Sequence, residues 1–208
     1  MMPQIIQDMD IDTLQQHICN AINGIRDIFD DFPWDEVQEA TEDTLKVYQA
    51  IKFIVSIPTK LYMRKYKQFC LGLHTIEKED YDEYSRRIGK EKVKKETYII
   101  LEVIERIEED EKIEYINKIF KARVDNKINA IEYRRLLVYV SRTLYADLLY
   151  MKEHIADDLI PLNSIEESGL ISNGWINIAS TGAQKIHEDA PLYCRYSQIA
   201  FKFCELIK

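Results

Sequence analysis

Apolar residues recur at helical spacing along most of the chain. In residues 10–29, isoleucine, leucine and phenylalanine return every three or four positions, which places them on one face of an amphipathic helix. The same spacing predicts six further helices, over residues 33–58, 59–73, 76–88, 91–108, 112–124 and 129–154. Short stretches containing proline, glycine or acidic residues separate these segments and are expected to end the helices.

The clearest helix start lies at Asn129. An asparagine side chain accepts a hydrogen bond from a first-turn amide, and Glu132 follows three residues later, which is the pattern of a capping box. Apolar residues then continue at helical spacing as far as Met151. The pattern therefore predicts one long helix from Asn129 to about His154.

Beyond residue 157 the pattern becomes less regular, and Pro161 interrupts it. Three helices are predicted in this part of the chain: a single turn over residues 165–168 capped by Asn163 or Ser164, a short helix after Thr181, and a final helix over residues 191–208.

A β-hairpin is predicted between the first two of these helices. The short apolar stretches 170–172 and 175–178 are separated by Asn173-Gly174. Asn-Gly is the preferred pair for a two-residue hairpin turn, because both positions need a positive φ.

These elements predict an all-α fold, a bundle of seven to nine helices with one small C-terminal β-hairpin. The helical bundle is assigned to residues 1–157, and residues 158–208 form an appendage packed on it within one compact domain. Only 6 glycines and 5 prolines occur in 208 residues, which favours helices. A chain of this length buries roughly 70% of its unfolded surface and needs no disulfide or metal to hold a core.

The cysteines and the start of the chain point to the cytoplasm. None of the four cysteines forms a CxxC motif, so we expect buried or half-buried free thiols in a reducing compartment. The first residues are acidic and lack the basic start and apolar run of a signal peptide. The longest apolar run, residues 50–57, is interrupted by Lys52 and is too short to cross a bilayer.

Residues 125–132 resemble the second half of a calcium-binding EF-hand loop. With Glu132 at the twelfth ligand position, the first and third positions fall on Lys121 and Arg123, which would repel a cation that needs oxygen ligands. The sixth position also lacks glycine. A tight turn followed by a capped helix explains this stretch better.

No other catalytic or metal-binding pattern is present. The four histidines, at positions 17, 74, 154 and 187, have no cysteine, histidine or carboxylate at the spacing of a zinc motif. The sequence also lacks GxSxG, P-loop and GxGxxG motifs. We therefore predict no catalytic residue, metal or cofactor, and a protein that is not an enzyme.

Charge is distributed unevenly along the chain. The formal net charge is −8, which opposes broad affinity for nucleic acid. Residues 1–58 carry three basic and eleven acidic residues, whereas residues 59–95 carry eleven basic and six acidic residues. Basic amphipathic helices with aromatic residues bind acidic partners, membranes or nucleic acid.

The helix predicted over residues 59–73 carries basic residues and no acidic ones, and its aromatic residues alternate with its cations. The predicted partner-binding residues are Lys60, Tyr62, Arg64, Lys65, Tyr66 and Lys67. The alternatives are that these cations pair with the acidic N-terminal helices, or that they are ordinary solvent-facing charge. Tyr62, Tyr66 and Tyr81 are expected to supply contact area on the condition that they are exposed.

The C-terminal region resembles the end of a winged-helix domain. The resemblance covers Glu166-Glu167-Ser168-Gly169-Leu170-Ile171, the hairpin, and Ile178-Ala179-Ser180-Thr181-Gly182. The hairpin turn carries no basic residue to contact phosphate, and one long helix replaces the helix-turn-helix. A structural or dimerising hairpin is therefore favoured over DNA recognition.

Residues 97–149 resemble the helical domain of TerB-like tellurite-resistance proteins. The resemblance rests on residues 116–123, the turn 125–129 and Glu132-Tyr133, which match a helix, an Asp-containing turn and a capped helix. More broadly, the order of Ile57-Pro58, the basic helix, this helix pair and the C-terminal tail resembles small proteins of bacteria and phages, some of them encoded near defence genes. The resemblance implies no activity. It implies a bacterial or phage protein that works by binding.

We therefore expect a non-enzymatic binding or regulatory protein of bacterial or phage origin, acting on a macromolecular partner in phage–host conflict. A protein partner is favoured and homo-oligomerisation is left open. One alternative is a peripheral membrane protein that docks on anionic lipid by its basic helix. The other is a nucleic-acid binder that uses the wing-like hairpin.

Overall fold

The computed structural model describes residues 57–179 and 193–208, with side chains from Arg64 onward. The helices predicted before residue 57 and the short helix after Thr181 lie outside these ranges, as does Cys19. The described residues form eight α-helices and a small three-stranded antiparallel sheet near the C-terminus. The predicted all-α class with a small C-terminal β element is confirmed.

Two compact units divide the chain. The first comprises Met1–Arg106 with Val124–Asn126, and the second comprises Ile107–Arg123 with Lys127–Lys208. Residues 107–123 and 127–157 group with the C-terminal elements. The division of the chain at residue 157 stays a prediction.

Three helices form the described part of the N-terminal unit: α1 (Ile57–Gly72), α2 (Lys78–Ile88) and α3 (Lys90–Arg106). A 3₁₀ turn over Leu73–Thr75 follows α1. Both α1 and α2 pack on α3. The core residues at this junction are fully buried, and they are Phe69, Leu73, Ile76, Tyr84, Ile100 and Ile104. Gly89 ends α2 with a φ of 83°, a conformation that suits glycine, and its carbonyl accepts the first bonds of α3.

The first helix of the C-terminal unit is α4 (Lys112–Val124), whose bounds were predicted correctly and whose last residue groups with the N-terminal unit. Helix α5 (Ala130–Arg142) starts at the predicted cap. Asn129 Oδ1 accepts from the amides of Ile131 and Glu132 at 2.9 and 3.0 Å, and the Asn129 amide donates to Glu132 Oε2 at 2.8 Å. The capping box is confirmed.

The single helix predicted over residues 129–154 is wrong. Thr143 takes an extended conformation (φ −89°, ψ 138°), and a separate helix α6 (Tyr145–His154) follows. The Thr143 hydroxyl donates to the Tyr139 carbonyl at 2.7 Å and accepts from Trp175 Nε1 at 2.7 Å. The hydrogen bond from Trp175, 32 residues further along the chain, stabilises this interruption between α5 and α6. The spacing of apolar residues does not reveal the interruption.

The predicted hairpin turn is also wrong. Residues 170–172 belong to helix α7 (Ile165–Ser172), which starts at a second capping box formed by Ser164 and Glu167. The helix ends in a Schellman motif: the amide of Gly174, whose φ is 84°, donates to the Ile171 carbonyl, and the amide of Trp175 donates to the Leu170 carbonyl. Asn173-Gly174 therefore terminates a helix and does not turn a hairpin.

The sheet contains β1 (Ile160–Pro161), β2 (Ile176–Ile178) and β3 (Tyr193–Tyr196) in the order β1-β3-β2. Cys194 of the central strand lies opposite both Ile160 and Ile178. The final helix, α8 (Gln198–Leu206), begins later than predicted, because residues 193–196 form β3.

Trp175 is fully buried in the core of the C-terminal unit. Its ring lies 5.2 Å from Tyr139 and 5.0 Å from Phe203, measured between centroids. The indole thus joins the start of β2 to helices α5 and α8.

Candidate interaction surface

The structure describes the side chains of four of the six predicted partner-binding residues, and two of the four are buried. Lys60 and Tyr62 belong to α1, and their side chains lie outside the described residues. Arg64 is exposed and Lys67 is half-buried. Lys65 and Tyr66 retain only 8% and 4% of their exposed surface, so these two do not form an open contact surface.

The burial of Lys65 has a structural cause. Its Nζ donates to the Glu105 carbonyl near the end of α3 at 3.3 Å, so the amine is used within the N-terminal unit. The condition set for Tyr81 also fails, because this side chain is buried and its ring lies 5.8 Å from Tyr84.

A different group of cations is exposed where α2 meets α3. We call it the basic corner, and its residues are Arg86, Arg87, Lys90, Lys92 and Lys95. Residues 86–95 contain six basic side chains and one acidic side chain, Glu91. The corner is therefore the most concentrated positive charge within the basic segment 59–95.

The two arginines of the corner are held by main-chain carbonyls. Arg86 Nε donates to the Asp82 carbonyl at 3.3 Å, and Arg87 Nη2 donates to the Val124 carbonyl at 2.9 Å. The Arg87 guanidinium also lies 5.9 Å from the centroid of the Tyr84 ring. These contacts hold both guanidinium groups close to the protein.

Unlike the two arginines, the three lysines of the corner are not held by such contacts. Among the described residues, no hydrogen bond or ion pair joins Lys90, Lys92 or Lys95 to another side chain. Lys90 and Lys92 lie in the first turn of α3, where the amides already carry partial positive charge. Cations at this position weaken the helix, so helix stability does not explain them.

Sequence reasoning included these residues in the basic segment but did not select them. The signal that marks them is local: six cations within ten residues, on both sides of a glycine that separates two helices. The aromatic residues of α1 favoured the prediction of a contact surface over residues 60–67. One of them, Tyr66, is part of the core.

A second charged group lies in the C-terminal unit, around the start of α6. Both Glu109 oxygens accept from the Tyr145 amide, at 2.9 and 3.1 Å, and the buried Lys112 Nζ lies 2.8 Å from Glu109 Oε2. Burial alone would raise the pKa of Glu109. The bonds from Lys112 and the Tyr145 amide outweigh burial, and the net result is a lowered pKa.

Asp147 belongs to the same charged group and is buried. Burial raises the pKa of its carboxyl, and the neighbouring Glu166 and Glu109 raise the pKa further, while Lys112 acts in the opposite direction. The Asp147 carboxylate lies against the α7 backbone at Gly169. This group couples α6 to α7 but includes no exposed nucleophile.

The described cysteines confirm part of the thiol prediction. Cys70, Cys194 and Cys204 are free and buried. Burial raises the pKa of Cys70 to about 12 and that of Cys204 to about 11, and it also raises the pKa of Cys194. A raised pKa keeps these thiols protonated, which disfavours their use as nucleophiles.

The described ranges, 57–179 and 193–208, contain neither a group of metal ligands nor a helix that could span a membrane. Within them no three His, Cys, Asp or Glu side chains are grouped so that they could hold a metal ion. No helix within them is long and apolar enough to cross a membrane.

No protein-family model, curated protein or solved structure matches the chain. The resemblance to TerB-like helical domains therefore stays a prediction.

Proposed function

We propose that the chain is a non-enzymatic binding protein that engages a macromolecular partner through the basic corner. The observation that carries the proposal is the position of Lys90 and Lys92 in the first turn of α3. Natural sequences depart from locally favourable choices mainly where function requires it. Two exposed lysines in the first turn are such a departure.

Three further features support a binding role over an enzymatic one. The described thiols have raised pKa values, and the histidines His74 and His154 are exposed and bond only to main-chain carbonyls of their own helix or turn. Glu109 and Asp147 are used inside the fold, at the helix start and at the helix contact described above.

A bacterial or phage setting, and a role in phage–host conflict, follow from the resemblance to proteins encoded near defence genes.

The test compares the native chain with the variant Lys90→Glu, Lys92→Glu, Lys95→Glu. The matched control, Arg134→Glu, Arg135→Glu, Lys208→Glu, changes the net charge equally at exposed positions of the C-terminal unit. Each tagged protein is incubated with bacterial lysate at about 0.15 M salt, where charges further apart than roughly 8 Å are screened. Captured protein and nucleic acid are then quantified.

We expect the native and control proteins to capture the same partner. The corner variant should bind that partner at least about tenfold more weakly, a loss of about 1.4 kcal/mol in binding free energy. Acidic residues at the start of α3 add about 0.3–1 kcal/mol of favourable interaction each, so the corner variant should melt no lower than the native protein. Equal capture by all three proteins, or no specific capture by the native protein, would contradict the proposal.

A further inference from the structure

The chemistry of the basic corner narrows the class of its partner, if the function proposed above is correct. Three classes of acidic partner bind clustered cations: nucleic acid, anionic membrane and acidic protein segments. Each requires something in addition to positive charge, and the structure can be compared with each requirement.

Arginine is better matched to phosphate than lysine, because its planar fork meets two phosphate oxygens whereas lysine binds phosphate as a point charge. Here the Arg86 and Arg87 guanidiniums already donate to the carbonyls of Asp82 and Val124. The three lysines remain, and each offers a compact point charge. A net charge of −8 also repels a polyanion as densely charged as nucleic acid.

Membrane docking requires exposed apolar side chains next to the cations. In the described part of the N-terminal unit, two large apolar side chains are exposed, Leu71 and Tyr98. Neither belongs to the corner, and Tyr98 is only 36% exposed. This area is too small to insert into a lipid surface.

An acidic protein segment fits the exposed lysines of the corner better than nucleic acid or a membrane does. Lys92, Lys95 and Tyr98 follow one another at three-residue intervals, so they form a row on the exposed side of α3. From Lys92 to Tyr98 the helix advances six residues and rises about 9 Å, which an extended segment spans in about three residues. Two carboxylates followed by an apolar side chain would pair with this row.

We infer that the basic corner binds a short acidic segment of a partner protein, with carboxylates on Lys92 and Lys95 and an apolar residue against Tyr98. Glu91, the one acidic residue in residues 86–95, lies four residues before Lys95, so its negative charge opposes the binding of an acidic segment at this end of α3.

Binding is measured by fluorescence anisotropy at about 0.15 M salt, with a labelled peptide of about ten residues built from glutamates and a central leucine. Single-stranded DNA of equal charge and vesicles containing phosphatidylserine are the comparison probes. We expect the full native chain to bind the peptide at least about tenfold more tightly than either. The triple lysine variant should lose about tenfold, and Glu91→Gln should gain roughly twofold.

Several outcomes would overturn the inference. One is lysine-dependent preference for DNA or vesicles, which would reject the acidic segment and leave the proposed function standing. Another is peptide binding that the lysine variant does not weaken. A native chain that does not bind the peptide also rejects the inference, and the lysate experiment then decides the proposed function separately.

Discussion

The Thr143 hydroxyl joins two parts of the C-terminal unit through a single atom. It donates to the Tyr139 carbonyl at the end of α5 and accepts from the Trp175 indole, and both Thr143 and Trp175 are fully buried. A buried N–H without an acceptor costs about 1–3 kcal/mol. The break between α5 and α6 and the position of the indole therefore depend on one hydroxyl.

We expect Thr143→Val, which keeps the shape and removes the hydroxyl, to destabilise the protein by about 1–3 kcal/mol in thermal or urea unfolding. Thr143→Ser keeps the hydroxyl and should cost less. In a Trp175→Phe background the indole N–H is absent, so Thr143→Val should cost less than it does in the native chain. Equal costs in the two backgrounds would show that the bond to the indole contributes nothing.

Asp147 makes a second residue-scale prediction, on pH. Because the folded state raises the pKa of this carboxyl above its ordinary value of 3.8, its contribution to stability is full below that pH. The contribution is lost as pH rises through the higher folded-state pKa. The lowered pKa of Glu109 acts in the opposite direction, and its contribution is lost as pH falls below its ordinary value of 4.5.

Asp147→Asn removes the titrating carboxyl of Asp147 and leaves that of Glu109 in place. We expect the stability of this variant relative to the native protein to increase as pH is raised from about 4 to about 7, measured by urea unfolding at each pH. The comparison uses the difference between the two proteins, in which most of the other titrating groups cancel. A difference that stays constant over this range would contradict the assignment.

Between elements, α6 and α7 approach closely because Gly169 has no side chain. A Cβ at this position would overlap Asp147 Oδ2. Alanine is the better helix former by about 1 kcal/mol, but the overlap costs about 1–3 kcal/mol where Asp147 is buried.

Gly169→Ala should therefore destabilise the native chain and stabilise an Asp147→Ala variant, in which the overlapping carboxylate is absent. The four proteins form a double-mutant cycle, with the free energy of unfolding as the readout. The same sign of effect in both backgrounds would show that the contact with Asp147 does not select the glycine.

Elements whose ends are marked by local chemistry were predictable. The capping box at Asn129 and the bounds of α4 follow from neighbouring residues alone. Asn173-Gly174 was misassigned because one dipeptide serves both a hairpin turn and a helix C-terminus. The choice depends on where Leu170 and Trp175 are buried, and that is decided by distant residues.

For the whole molecule, composition and periodicity were sufficient to predict the fold class. They were not sufficient to predict which charged and aromatic side chains are exposed. The exposure of Lys65 depends on a carbonyl 40 residues away, and that of Tyr66 on the packing around it. The basic corner combines exposed cations from the end of α2 and the start of α3, on either side of Gly89. Charge counted along a segment does not show which side chains the packing leaves exposed.

The strand order β1-β3-β2 also affects when the sheet can form during synthesis. The central strand is the last of the three to be made, so β1 and β2 have no partner in the sheet until residues 193–196 leave the ribosome. At about 5–20 residues per second, the interval between translation of Pro161 and of Tyr193 is about 2–6 s. During that interval neither outer strand can make the hydrogen bonds that β3 supplies, so the sheet is completed only after the rest of its strands have been translated.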